Sequence, residues 1–429
     1  MPMNRQGQYI LLAYMSRRPA NSTSSFKWQL AALLFSVGAI NYADRTAISS
    51  VLPLLKSDLS MSDTALGALG SVFLWAYAAG SPAAGFLADR FPRWKLVLYS
   101  LAGWSVVTLL TGLVQTTEQL LVMRVLLGLS ECVYLPAAIA LLADHHPSES
   151  RGIANGIHTA GLNAGIIGGG VLAGYLGEIH GWRASFFVLG IVGLVLTAGS
   201  YFFLRDTPPP VTEPILRQRG SGGLGDIIAL LTIPSYLVLL INAMLVSIGT
   251  WIFFNWLPLF YGEAFHLTLA QAGFSGTFML QSAVAVGVPL GGFLSDRVAG
   301  KHVYRRMLMQ GVLYLLAAPF LLTFLLKPDY LLTSISIFAF SFLRGLGAGN
   351  ENPMVCDLLA PHQRATAVGL MNMANCFAGG IGVLIAGILK AEYGLAGTFA
   401  GVSIIVFSGG LLLLAGYRFF IRRDLARVL

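Results

Sequence analysis

Twelve long, almost uncharged stretches run through this chain, at about 28–53, 64–86, 96–115, 119–143, 152–177, 183–204, 235–260, 270–294, 306–326, 331–358, 365–389 and 395–417. A helix needs about 20 residues to cross the hydrocarbon core of a bilayer, and lipid admits only helices or closed barrels as spanning structures. The expectation is an all-α membrane protein with twelve transmembrane helices. Composition agrees: 56% of the 429 residues are hydrophobic and 11% are charged, whereas soluble domains carry roughly 25% charge. No phosphate-binding glycine loop, cysteine–histidine cluster or nucleophile elbow accompanies the spans. An enzyme, a metal site and a cofactor are therefore not expected. Cys132, Cys356 and Cys376 lie in apolar stretches and read as small buried side chains.

The longest polar gap, Arg205 to Ile233, holds Pro208, Pro209, Pro210, Pro214 and the Gly222-Gly223 pair near the middle of the chain. Such a segment reads as a linker between two six-helix bundles. The expected organisation is a tail 1–27, a bundle 28–204, a linker 205–234, a second bundle 235–420 and a tail 421–429. The apolar run Leu224 to Leu231 reads equally as a surface helix or as a ragged start of span seven. Arg90, Arg93, Lys95, Arg151, Arg297, Arg305, Arg306 and Arg364 gather on one side of the spans, and the opposite side has Lys56, Arg183, Lys327 and Lys390. Positive residues stay on the cytoplasmic face, so both termini are expected there. The net charge of +8 is then topology, not a nucleic-acid surface. The N-terminal tail lacks a compact signal-peptide core, and the short loops point to a bacterial inner membrane.

Arg124 and Glu131 lie within span four, and Arg344 and Glu351 within span ten. Ionised groups at membrane depth are costly and mark substrate or ion pathways. Gly85-Phe-Leu-Ala-Asp89-Arg90 after span two recurs as Gly292-Phe-Leu-Ser-Asp296-Arg297 after span eight. Secondary transporters are built from such repeats around a central site. Seven residues of helix rise about 10 Å. Arg124 and Glu131 therefore share a face but are too far apart for an ordinary ion pair, and each needs another partner.

Gly85-x-Leu87-Ala88-Asp89-Arg90-x-Pro92-Arg93-x-Lys95 resembles the signature loop between helices two and three of the major facilitator superfamily, with Pro92 where glycine is common. The resemblance covers essentially the whole chain and implies the major facilitator fold, two pseudo-symmetric six-helix bundles. It makes Gly85, Asp89, Arg90, Arg93, Asp296 and Arg297 candidates for conformational gating. Asn41-Tyr42-Ala43-Asp44-Arg45, with Arg124 and Glu131, is similar to the anion–cation symporter group of that superfamily, which includes sugar-acid carriers. Carried over residue by residue, that likeness implies proton coupling through Asp44 and Glu131, a substrate contact at Tyr42, and positive groups at Arg45 and Arg124. Spinster-like lysolipid carriers share the aspartate–arginine pattern.

Neutral polar groups interrupt the spans at His158, Thr159, Asn163, Asn255, Asn372 and Asn375. His158, Asn163, Asn255, Asn372 and Asn375 are candidate substrate contacts, and each reads equally as a packing residue. Leu162 stands where galactonate-type carriers can present glutamine. Glu351 reads as a further proton carrier, a contact for a cationic part of the substrate, or the neutralising partner of Arg344. The sequence thus favours proton-coupled symport of a small organic anion, with the anion, protons and membrane lipids as partners and no required protein partner. Export of lysolipids or amphipathic compounds is the rival within transporters. A nontransporting membrane sensor or scaffold is the rival of another class.

Overall fold

The computed structural model describes residues 22–205, 224–300, 302–327 and 329–426. The expected tail up to residue 21, linker residues 206–223 and the last three residues of the chain lie outside these. Every regular element among the described residues is helical. The first half comprises α1 (Ser22–Ser50), α2 (Leu52–Asp58), α3 (Asp63–Arg90), α4 (Arg93–Thr111), α5 (Thr117–Glu131), α6 (Tyr134–His145), α7 (Ser148–His180) and α8 (Trp182–Arg205). A short α9 (Leu224–Leu231) follows. The second half comprises α10 (Pro234–Phe265), α11 (Leu269–Ala299), α12 (Arg305–Ala317) continued by a 3-10 segment to Leu325, α13 (Tyr330–Ala348), α14 (Glu351–Leu358), α15 (Pro361–Phe419) and α16 (Ile421–Leu425).

Ten stretches are long and apolar enough to cross a membrane, one of them the 57-residue Gln363–Phe419. That stretch turns back at Gly394 (φ 65°, ψ 175°), a conformation that glycine adopts without Cβ strain, and so crosses twice. Adding α1, which carries the buried Asp44 and Arg45, brings the crossings to twelve. The run Leu224–Leu231 is a helix of its own, separated from α10 by Thr232 and Ile233; of the two readings of that run, the start of span seven is excluded.

Spans four and ten each break beside the glutamate of the repeated Arg–Glu pair. Glu131 is the last residue of α5, and Glu351 is the first of α14. Gly345, Gly347 and Gly349 lead up to Glu351, and Pro353 just beyond it removes a backbone donor beside the break.

Within the first half, α1 and α7 approach at backbone distance. A Cβ on Gly161 would lie 2.8 Å from the Phe35 Cα, one on Gly165 2.8 Å from the Ala39 Cα, and one on Gly169 2.7 Å from the Ala43 Cβ. Small residues at four-residue spacing permit this contact. It brings Tyr42 alongside Leu162, Asn163 and Ile166.

The two halves meet on the side away from the arginines. Ser71 Oγ donates to the Gly380 carbonyl at 2.7 Å, and Trp75 Nε1 donates to the Phe377 carbonyl at 3.1 Å. A Cβ on Gly67 would lie 2.9 Å from the Val383 carbonyl oxygen, and one on Gly170 3.2 Å from the Gly273 carbonyl oxygen. Toward the arginine-rich side, a Cβ on Gly85, Gly156, Gly292 or Gly369 would meet nothing within 4 Å. The structure is closed at the end away from the arginines.

Charged side chains tie the loops at both ends. At the closed end Asp58 accepts from Trp182 Nε1 at 3.0 Å and from Arg183 Nη1 at 2.6 Å. These hydrogen bonds hold its carboxyl below the usual aspartate range. A depressed carboxylate pKa contributes stability above the ordinary value and loses it as pH falls through the folded value. Asp58→Asn is therefore expected to melt slightly below wild type at pH 7, the gap closing below about pH 4. The pair is 37% and 45% exposed, so screening keeps the effect small. Melting of purified protein across that range checks it.

Candidate functional site

The first half holds a buried ionic network. Arg45 Nε donates to Glu131 Oε2 at 2.5 Å, and the two side chains are 7% and 0% exposed. The guanidinium carbon lies 4.7 Å from the Tyr42 ring centre, 4.9 Å from that of Tyr77 and 5.1 Å from that of Phe73, a cage that suits a weakly hydrated planar cation. Asp44 accepts from Thr108 Oγ1 at 3.1 Å. Arg124 lies 5.8 Å from the Phe186 ring centre and interacts electrostatically with both Asp44 and Glu131. The partner that Glu131 needed is thus Arg45 on α1, not Arg124 seven residues before it.

One oxygen of Asp44, one of Glu131, and Nε and Nη2 of Arg124 have no hydrogen-bond partner among the described residues. Buried polar groups are normally paired. This cluster keeps spare hydrogen-bonding capacity on both signs of charge.

A cavity of about 250 Å³ lies between the halves. The first half lines it with Tyr42 from α1 and with Thr159, Leu162, Asn163 and Ile166 from α7. The second half supplies Thr250, Trp251 and Phe254 from α10, Leu280 and Gln281 from α11, and Arg344 from α13. Tyr42 belongs to both the cavity and the ionic network, since its ring also covers Arg45.

Of the residues singled out from the sequence, Tyr42, Thr159, Leu162, Asn163 and Arg344 line this cavity, while Asp44 and Arg124 are 1% and 2% exposed inside the first half. His158 is buried with Nε2 3.0 Å from the Tyr134 hydroxyl. Asn255 packs at the seam between halves, where a Cβ on Gly70 would lie 2.6 Å from its Nδ2. Asn372 is exposed, and Asn375 accepts from Ser247 through its backbone carbonyl at 2.7 Å. Glu351 is partly exposed and interacts electrostatically with Arg344.

On the arginine-rich side, Arg93 pairs with Asp144 and donates to the Ala140 carbonyl, tying span three to span four. In the second half Arg306 reaches Asp296 at 2.7 Å and Asp357 at 3.3 Å. Arg297 lies over the Phe293 ring at 4.3 Å, Gly85 and Arg90 are exposed, and the side chain of Asp89 lies outside the described residues. Sequence reasoning passed over Asp144 and Asp357, whose partners Arg93 and Arg306 lie far away in the chain. It counted Arg306 and Lys390 only for their side of the membrane, whereas at the closed end Lys390 reaches Asp63 of the other half at 3.3 Å and Glu263 at 2.8 Å. Thr250 and Gln281 gave no signal beyond polarity in an apolar stretch.

Twelve crossings in two repeated halves around a central cavity match a family profile, that of the Major Facilitator Superfamily, over residues 34–383 and 239–426. The chain belongs to the Major Facilitator Superfamily. Members of this superfamily are transporters, not enzymes. A Bacillus subtilis (strain 168) protein named "Probable galactarate/D-glucarate transporter" is 29% identical over 66% of this chain and 68% of its own length. A Cupriavidus necator protein named "Probable sulfoacetate transporter" is 29% identical over 83% and 85%. An "MFS-type efflux pump" of Mycolicibacterium smegmatis is 27% identical over 85% and 84%. Among solved structures, a bacterial homolog of the human lysosomal transporter Spinster, in an inward-facing and occupied conformation, superposes with a TM-score of 0.80 at 19% identity, over 93% of this chain and 98% of that one. This likeness establishes the shared fold.

Proposed function

We propose that this major facilitator protein carries a small organic anion, a sugar acid or related carboxylate, together with protons, by alternating access in a bacterial inner membrane with both termini cytoplasmic. The observation that carries this reading is the placement of Tyr42. It lines the cavity between the halves and also covers the Arg45–Glu131 pair at 2.5 Å. An anion in the cavity adds negative charge beside the Tyr42-covered Arg45–Glu131 pair and so favours protonation of Glu131 or Asp44, which lowers the charge that must cross. Asn163 offers hydrogen bonds to hydroxyl groups. Glu351, beside the break in span ten, is a further proton carrier on this reading. Arg93, Asp296 and Arg306 hold the arginine-rich loops of the inward-open form. The named sugar-acid and sulfoacetate carriers among the relatives support an anionic cargo.

Uptake into proteoliposomes tests the reading, with and without an inward proton gradient, using sugar acids, other small carboxylates and a fluorescent lysolipid. Gradient-stimulated uptake of an acid is the expected result. Lysolipid movement without acid uptake, or no flux of any acid, overturns it.

A further inference from the structure

Three arginines lie within the spans near the centre of this protein, and they are not equivalent. Arg45 is held by Glu131 at 2.5 Å and caged by three rings. Arg124 is 2% exposed inside the first half and does not line the cavity. Arg344 lines the cavity from the second half and is partly exposed. No carboxylate among the described residues lies within 4.0 Å of it, and Glu351, beyond the break at Gly349 and Asn350, acts on it only at longer range. The repeated Arg–Glu pair has therefore diverged. In the first half the glutamate found a cation on α1, whereas the matching region of α10, Trp251 to Trp256, contains none.

We propose that Arg344 holds the anionic group of the cargo, and that the cavity takes an anion with one charged end and an uncharged body. The charged end meets the guanidinium, whose planar fork matches a carboxylate or sulfonate. The body lies against Trp251 and Phe254 and reaches Asn163 and Gln281, which supply neutral hydrogen bonds. A second carboxylate would find no further cation lining this cavity among the described residues, and an unpaired charge there is costly, so the cargo proposed here departs from the doubly acidic compounds for which the galactarate/D-glucarate and sulfoacetate relatives are named. The anion's charged end then binds in the second half while the Asp44 and Glu131 carboxyl groups lie in the first, so cargo held by Arg344 against Asn163 draws the halves together. This inference rests on the proposed anion transport and names the residue and charge type behind it.

Counterflow in proteoliposomes tests it with D-galactonate and D-gluconate as single anions and D-glucarate as a double one. The proteins compared are wild type, Arg344→Gln, Arg344→Lys and the double variant Arg344→Gln with Glu351→Gln, each first shown to be monodisperse. Arg344→Gln is expected to raise the half-saturation concentration for the favoured single anion about 10- to 100-fold, with partial recovery in Arg344→Lys. The double variant is expected to stay as weak as Arg344→Gln, because the lost partner is the cargo. Affinity within threefold of wild type in Arg344→Gln, or restoration in the double variant, overturns the inference and leaves Arg344 as the partner of Glu351. A preference for D-glucarate overturns the single charged end. Normal proton-driven uptake by both wild type and Arg344→Gln defeats this inference alone, and no flux of any acid in wild type defeats the anion reading with it.

Discussion

Glu131→Gln is expected to abolish proton-driven accumulation while leaving exchange of cargo across the membrane intact. The amide keeps the shape and can still accept from Arg45, but it cannot take up and release a proton. Each unit of pH gradient supplies about 1.36 kcal/mol per proton. A two-unit inward gradient therefore supports roughly 100-fold accumulation through one coupled proton, and the variant should fall to about the external concentration. Exchange needs no net proton movement and separates loss of coupling from loss of folding. The buried guanidinium loses its counter-charge, and breaking a buried pair costs about 3–5 kcal/mol when a partner is removed outright. The glutamine retains a hydrogen bond, so a smaller loss of thermal stability is expected. Unchanged accumulation alongside normal exchange would remove Glu131 from the coupling mechanism.

Gly387→Leu is expected to wedge open the seal between the halves and stop transport. A Cβ at this position would lie 2.6 Å from the Asp63 carbonyl oxygen, 3.2 Å from the Gly67 Cα and 3.2 Å from Trp256 Cζ2. Two of these atoms belong to the backbone of the opposite half and cannot rotate away. Overpacking costs about 1–3 kcal/mol, and here the cost falls only on the form in which this end is closed. That corresponds to a shift of about 5- to 150-fold in the conformational equilibrium. A cysteine placed at Ser71, fully buried at the seal, in a background without the three native cysteines, reports the opening. It should react with a membrane-impermeant maleimide in the Gly387→Leu protein and resist it otherwise. Gly401→Leu, where a new Cβ meets nothing within 4 Å, should behave as the unmodified protein does. Protection of the cysteine at Ser71 in both proteins would refute the seal.

The α1–α7 contact shows how far sequence reasoning reached. Gly161 and Gly165 are visible as small residues four apart, and they do pack backbone to backbone. What their spacing cannot reveal is which helix they pack on, because a glycine stripe carries no address. The same limit applied to Glu131. Helix rise excluded an ordinary pair with Arg124, but Arg45 is 86 positions away in the chain, and no local rule connects them. His158 was legible as a polar interruption, and its bond to Tyr134 depends on where span four passes span five.

By itself the sequence determined the fold class and the twelve crossings. These follow from local quantities: the length of apolar runs and the cost of charge in lipid. Only the tertiary structure decided which of the three arginines faces the cavity, which end of the transporter is closed, and that Lys390 bridges the two halves there. Each of those outcomes joins residues from helices far apart in the chain. Helices whose flanks are all apolar hold no local record of which neighbour they will meet.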